Sequence, residues 1–165
     1  MLLWRKGSRA RFRPLYPKGC VGSNPTSSTN ESLNIKQNMY SSVGKLRYSE
    51  HYLVVDVDSG IVELARALVP KALYLNRQRY APHISVVRHE KPVVLKNWGK
   101  HEGREVEFKY STYVYNDEVY YWLQAFSPTL SNIRVELGLS KFSEWSRPPD
   151  GQDCFHITIG NTKKV

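Results

Sequence analysis

Cysteines, long apolar runs and acidic charge are all scarce in this chain, and each shortage removes a class of protein. Only Cys20 and Cys154 occur among 165 residues. Two such residues give neither a disulfide framework nor zinc-ligand spacing, which fits a reducing compartment. No apolar run approaches the roughly 20 residues of a membrane-spanning helix. Met1, Leu2, Leu3 and Trp4 form too short a run for a signal peptide, and no small-residue cleavage site follows. A cytoplasmic protein with no membrane partner is the expectation. Acids are outnumbered 15 to 24 by Lys and Arg, a formal charge of +9, which by itself would raise nucleic acid or an anionic surface as a partner.

That charge is unevenly placed. Residues 1–38 hold seven bases and one acid, so residues 39–165 carry a net charge of only +3. The first 38 residues also lack apolar periodicity and are rich in Arg, Pro, Gly, Ser, Thr and Asn. They cannot bury enough surface to offset the entropy of ordering, and a disordered leader is expected there. Gly22, Ser23, Asn24 and Pro25 are also what a common transfer-RNA T-arm sequence encodes when read as protein. The reading is therefore that translation begins at Met39 and the leader is not native, against the rival view of a basic arm that holds nucleic acid. Residues 39–165 are expected to form a single domain, a length sufficient for one substantial core.

The alternation of His51 to Val57 predicts a strand with Leu53, Val55 and Val57 on one face and Tyr52, Val54 and Asp56 on the other. Ile61 to Leu75 places Ile61, Leu64, Ala65, Leu68, Ala72 and Leu75 at helical spacing, with Asp58 or Ser59 as N-cap and Pro70 as a kink or stop. Pro82 introduces a second strand running to about Arg88. After a polar connection at 89–104, Glu105 to Tyr115 and Glu118 to Phe126 read as a hairpin turning at Asn116 and Asp117. Pro128 to Leu139 reads as a helix capped by Ser127 with Gly138 near its end, Lys141 to Asp153 as a loop, and Phe155 to Ile159 as the last strand. Two halves that each end in a comparable strand suggest a duplicated α+β plan, with helices on one side of antiparallel sheets.

Those two strands carry the chemistry. Phe155, Ile157 and Ile159 share one face while His156 and Thr158 share the other; 73 positions earlier, His83 and Ser85 stand opposite Ile84 and Val86. Two imidazoles across a groove suit concerted acid-base work, since unperturbed His titrates near neutrality. The hydroxyls of Ser85 and Thr158 can donate to phosphate oxygens and stabilise developing negative charge. Such a set suits phosphodiester cleavage without a metal, one histidine deprotonating water or a ribose hydroxyl and the other protonating the departing oxygen. No compact set of Asp and Glu stands beside either motif, as two-metal phosphoryl transfer requires, and no cofactor is expected. The remaining histidines, His51, His89 and His101, lack the pattern and read as surface residues. Arg88, Lys91 and Lys96 either draw in phosphates or, as the favoured reading, carry solvated surface charge. Tyr52, Tyr120 and Trp122 are candidate substrate-binding residues if they face the groove, with Val119 and Leu123 toward the helices. Their rings either stack on nucleobases or fill an aromatic core.

Residues from about Tyr48 to Lys164 resemble the two-histidine (2H) phosphoesterase superfamily, whose signature is a pair of His-x-Ser/Thr motifs on strands of a bilobal fold. His83, Ser85, His156 and Thr158 fall on its four catalytic positions, with Ser85 in place of the commoner Thr. The resemblance implies an α+β, bilobal, duplicated architecture with antiparallel sheets, helices on the outer side and a central groove. It further implies a metal-independent phosphodiesterase, a hydrolase acting on cyclic phosphates, RNA ends or oligonucleotide linkages. The stretches Cys154 to Lys163, Ile133 to Leu139 and Tyr120 to Leu123 are similar to phage proteins that destroy the cyclic oligonucleotide messengers of bacterial CBASS immunity. A counter-defence enzyme working in the host cytoplasm on a cyclic nucleotide follows as the expected role. The alternatives are an RNA-end enzyme acting on 2',3'-cyclic phosphates or 2'-5' linkages, and a non-catalytic sponge that binds the nucleotide intact.

Overall fold

The computed structural model describes residues 38–143 and 153–163. The leader expected over 1–38 lies, apart from Asn38, outside these, as does most of the expected loop between Lys141 and Asp153.

Six strands hydrogen-bond in the order β1-β2-β3-β6-β5-β4, and β1 also pairs with β4, so the antiparallel sheet closes on itself as a barrel. The strands are β1 (Met39–Tyr48), β2 (Tyr52–Asp56), β3 (His83–Arg88), β4 (Glu105–Asn116), β5 (Tyr120–Phe126) and β6 (Phe155–Asn161). Two helices of nine residues each accompany them, α1 (Ser59–Ala67) and α2 (Pro128–Glu136).

This corrects the expected bilobal, duplicated α+β arrangement with separate sheets and a groove between lobes. The physical reason is β1, which the sequence reading passed over. It offers its two edges to β2 and β4 at once, with Leu46 opposite Val55 and Gly44 opposite Val106, and thereby joins the two halves into one ring that has no free edge. Only Gly44 and Leu46 are buried along it, too sparse an apolar alternation to announce a strand. Gly44 is required by the close approach of β2: a Cβ there would stand 2.4 Å from Val55 Cγ1 and 2.6 Å from the Asp56 carbonyl oxygen.

The helices are shorter than their periodicity predicts. α1 begins at its N-cap Asp58, whose carboxylate accepts from the Gly60 amide at 2.7 Å. It stops at Ala67 rather than reaching Leu75, because Pro70 cannot continue it, and a single 3₁₀ turn, Lys71–Leu73, follows. Val62 and Ala65 are its buried residues and Val69 is buried just beyond its end, while Leu64 and Leu68, expected inside, are exposed. α2 has Pro128 in its first turn and ends at Glu136 before Gly138, whose φ of +76° suits glycine. Ser127 does not cap α2; its hydroxyl donates instead to the Glu107 carbonyl of β4. The hairpin between β4 and β5 turns where expected, with Asp117 Oδ1 accepting from the amides of Val119 and Tyr120. Val119 is exposed in that turn and does not face a helix.

The apolar faces of the strands and both helices feed one core. Leu46, Leu53, Val55, Ile84, Ile157 and Ile159 are fully buried in it, and Val62 and Ile133 bring the helices to it. That core fixes which way every strand turns, since a slip of one residue would expose its whole apolar set. The opposite face is thereby committed to the polar residues of β3 and β6. Among the described residues, no helix is long and apolar enough to cross a membrane.

Candidate functional site

Adjacent strands β3 and β6 meet at Ile84 and Ile157, which pair across the antiparallel ladder and are both fully buried. One step along that register in either direction sets His83 beside Thr158 and Ser85 beside His156, all four on the face opposite the isoleucines. Each histidine thus stands beside the other motif's hydroxyl. The two imidazoles form a diagonal cross-strand pair, a separation of about 7 to 8 Å between backbones. All four side chains are half-buried, and the hydroxyls of Ser85 and Thr158 make no protein hydrogen bond among the described residues, so both are open to an incoming acceptor.

The neighbouring strands extend this face. On one side Asp56 of β2 pairs with His83 and Val54 with Ser85; on the other, Trp122 of β5 pairs with Thr158 and Gln124 with His156. The indole edge of Trp122 meets the His156 ring at 6.4 Å between centroids. Tyr115 of β4 then stacks on Trp122 at 6.4 Å, and Tyr113 meets Tyr115 at 4.6 Å. A ladder of three aromatic rings therefore leads away from the site. Tyr113 and Tyr115 were indistinguishable in sequence from the other residues of an aromatic strand; only pairing with β5 singles them out.

The two histidines differ in environment. His83 Nδ1 lies 2.8 Å from the Ala81 carbonyl oxygen. Since a carbonyl only accepts, Nδ1 carries a proton, which leaves Nε2 as the ring nitrogen free to take up or give a second one. His156 has its pKa lowered, chiefly by burial and further by positive charge at His83 and Arg88, with Asp117 in the β4–β5 turn opposing. Asp56, opposite His83, is held below the usual carboxylate range by its paired hydrogen bonds from Arg47 (2.8 and 2.7 Å), with smaller help from charge at His83.

Comparison of the chain with protein-family models, with curated proteins and with solved structures finds no match. The case for a site therefore stands on the geometry of these residues.

Of the expected substrate-binding residues, Trp122 and Tyr52 lie on this face, Tyr52 pairing with Arg88 beyond Ser85. Tyr120 lies farther along β5, opposite Asn161, past an irregularity in the β5–β6 register, with Lys163 Nζ 4.8 Å above its ring. His51 and His89 are exposed as expected, whereas His101 is half-buried and bonded to Glu136 at 3.0 Å. Among the described residues, no three His, Cys, Asp or Glu side chains are grouped so as to hold a metal ion. A separate hollow of about 380 Å³ lies against α1, lined by Arg66, Tyr74 and Asn76 among others. On its wall Arg66 spends its guanidinium on the carbonyls of Leu75, Asn76 and Ile159.

Proposed function

We propose that this chain is a phosphodiesterase of the two-histidine type, cleaving a nucleotide phosphodiester with side chains alone. The observation that carries this reading is the crossed square of His83, Thr158, Ser85 and His156 on one face of two adjacent strands, an arrangement able to flank a single phosphate. The paired motifs support the family resemblance, although the architecture around them is the closed barrel. His156, kept neutral by its lowered pKa, takes the proton from the attacking hydroxyl or water. His83 acts as the acid in its doubly protonated form, holding Nδ1–H on the Ala81 carbonyl and giving the Nε2 proton to the departing oxygen. Ser85 and Thr158 donate to the non-bridging oxygens as negative charge develops.

The two half-buried rings at the ends of the aromatic ladder, Trp122 and Tyr113, support a substrate with bases to stack, with buried Tyr115 packed between them, each such contact being worth about 1–3 kcal/mol. A cyclic oligonucleotide messenger meets that demand, and its destruction by a phage protein countering CBASS immunity is the biological role we propose. Purified protein incubated with cyclic dinucleotides, cyclic trinucleotides and RNA ending in a 2',3'-cyclic phosphate, with EDTA present, separates the possibilities. Cleavage of a cyclic oligonucleotide that survives EDTA is expected, and His83→Ala or His156→Ala should each lower turnover by about 10²- to 10⁴-fold. Cleavage of the RNA end alone would move the assignment to RNA-end chemistry. Tight binding with no product would make the chain a sponge, and wild-type turnover in both alanine variants would sink the two-histidine mechanism.

A further inference from the structure

Alternation along β3 would place Arg88 with Ile84 and Val86 on the apolar face, opposite the histidines. The register shows otherwise. Ile84 pairs with Val55 and Ser85 with Val54, but the next pairs are Val87 with Leu53 and Arg88 with Tyr52. Val86 is thus an extra residue in β3, a β-bulge, and beyond it the faces exchange. Val87 turns into the core beside Leu53, both fully buried, and Arg88 arrives with Tyr52 on the face of Ser85 and His156.

One buried side chain holds this bulge. Arg134 of α2 is fully buried; its Nη1 donates to the Val86 carbonyl at 2.6 Å, Nη1 and Nη2 grip the Glu90 carboxylate at 2.7 and 2.8 Å, and Nε donates to the Ser140 carbonyl. Val86 and Glu90 are therefore tied to the same guanidinium across the end of β3, where the chain turns at His89 with φ +58°. Arg88, the last residue of β3, is exposed. Its Nε donates to His89 Nε2 at 3.3 Å, while its terminal amino groups make no hydrogen bond among the described residues. A buried ion pair is seldom the most stabilising filling for a core; here it sets where a second arginine points.

We infer that Arg88 binds the substrate phosphate, its fork of N–H donors taking a non-bridging oxygen at the place the two histidines flank, and that Arg134 with Glu90 is the positioning pair that turns Arg88 onto this face. The inference rests on the proposed reading of the site as a phosphate site and supplies its missing cation. Planar, two-pronged donation to phosphate is what arginine does better than lysine. The charge of Arg88 already reaches His156, together with that of His83, against Asp117.

The test is binding of inorganic phosphate and adenosine 3'-monophosphate to the full chain by calorimetry, with the His156 ring followed by NMR across pH. Arg88→Gln should weaken both ligands at least tenfold and raise the His156 pKa, and Arg88→Lys should recover only part of the affinity. The apolar pair Glu90→Leu with Arg134→Met, which keeps the core filled, should fold and lose affinity nearly as Arg88→Gln does. Wild-type affinity in Arg88→Gln, or no phosphate binding by the wild type, overturns the assignment of Arg88. Wild-type affinity in the folded double variant overturns the positioning role. Phosphate binding through Arg88 without cleavage of any phosphodiester would sustain this inference while removing the catalytic reading. Unchanged KM in an active Arg88→Gln enzyme would do the reverse.

Discussion

At the scale of single residues, the two histidines are chemically inequivalent although their motifs look alike. His156 is enclosed and lies near two positive groups, so its pKa falls below the usual 6.5; His83 fixes its tautomer on a backbone carbonyl. If His156 is the base, the acid limb of the pH-rate profile belongs to it and should lie below the ordinary histidine value. The same depression makes the folded state bind fewer protons than the unfolded chain. Stability should therefore decline as pH drops from about 6.5 through the lowered pKa, and this loss should be missing in His156→Gln. Denaturant titrations of the two proteins at several pH values between 4 and 8 check it. Asp56, also depressed, adds a decline of the same sign at lower pH, small because its partner Arg47 is well exposed. The catalytic candidates were legible from sequence because period-two alternation is a local property. Arg88 could be named from its charge as one of three cations able to draw in phosphates, but its face was not legible, because a bulge reverses alternation and depends on a partner strand.

At the scale of elements, the strand that closes the ring was the one hardest to read. β1 is held by Leu46 and by the bareness of Gly44, where β2 comes within van der Waals reach of the backbone. Gly44→Ala should cost about 1–3 kcal/mol, the range for forcing atoms into a packed interior, because one of the two atoms it meets is a carbonyl oxygen that cannot swing aside. Urea unfolding of the variant checks this, and an unchanged midpoint would mean that β1 packs less closely against β2. α1 shows the opposite failure: apolar spacing ran on through Leu75, but Pro70 and the turn after it ended the helix at Ala67. Helical periodicity reports which residues could share a face, whereas the end of a helix is set by backbone donors and by what the next segment must reach.

For the molecule as a whole, the six described strands lie between Met39 and Asn161 and close into a barrel among themselves. A chain begun at Met39 should consequently match the full-length protein in thermal midpoint and in turnover; a marked loss in either would give the leader a structural or binding role. Taken alone, the sequence determined the two armed strands, the hairpin after β4, the approximate helices and the apolar and polar faces of β2, β6 and the first half of β3, all set by local periodicity and turn chemistry. Tertiary structure alone decided that the halves join into one barrel, that the two motifs lie on adjacent strands with each histidine beside the other's hydroxyl, and that Arg88 shares their face. Those outcomes depend on register between segments distant in the chain, which hydrogen bonding and core packing fix only when all the strands are assembled together.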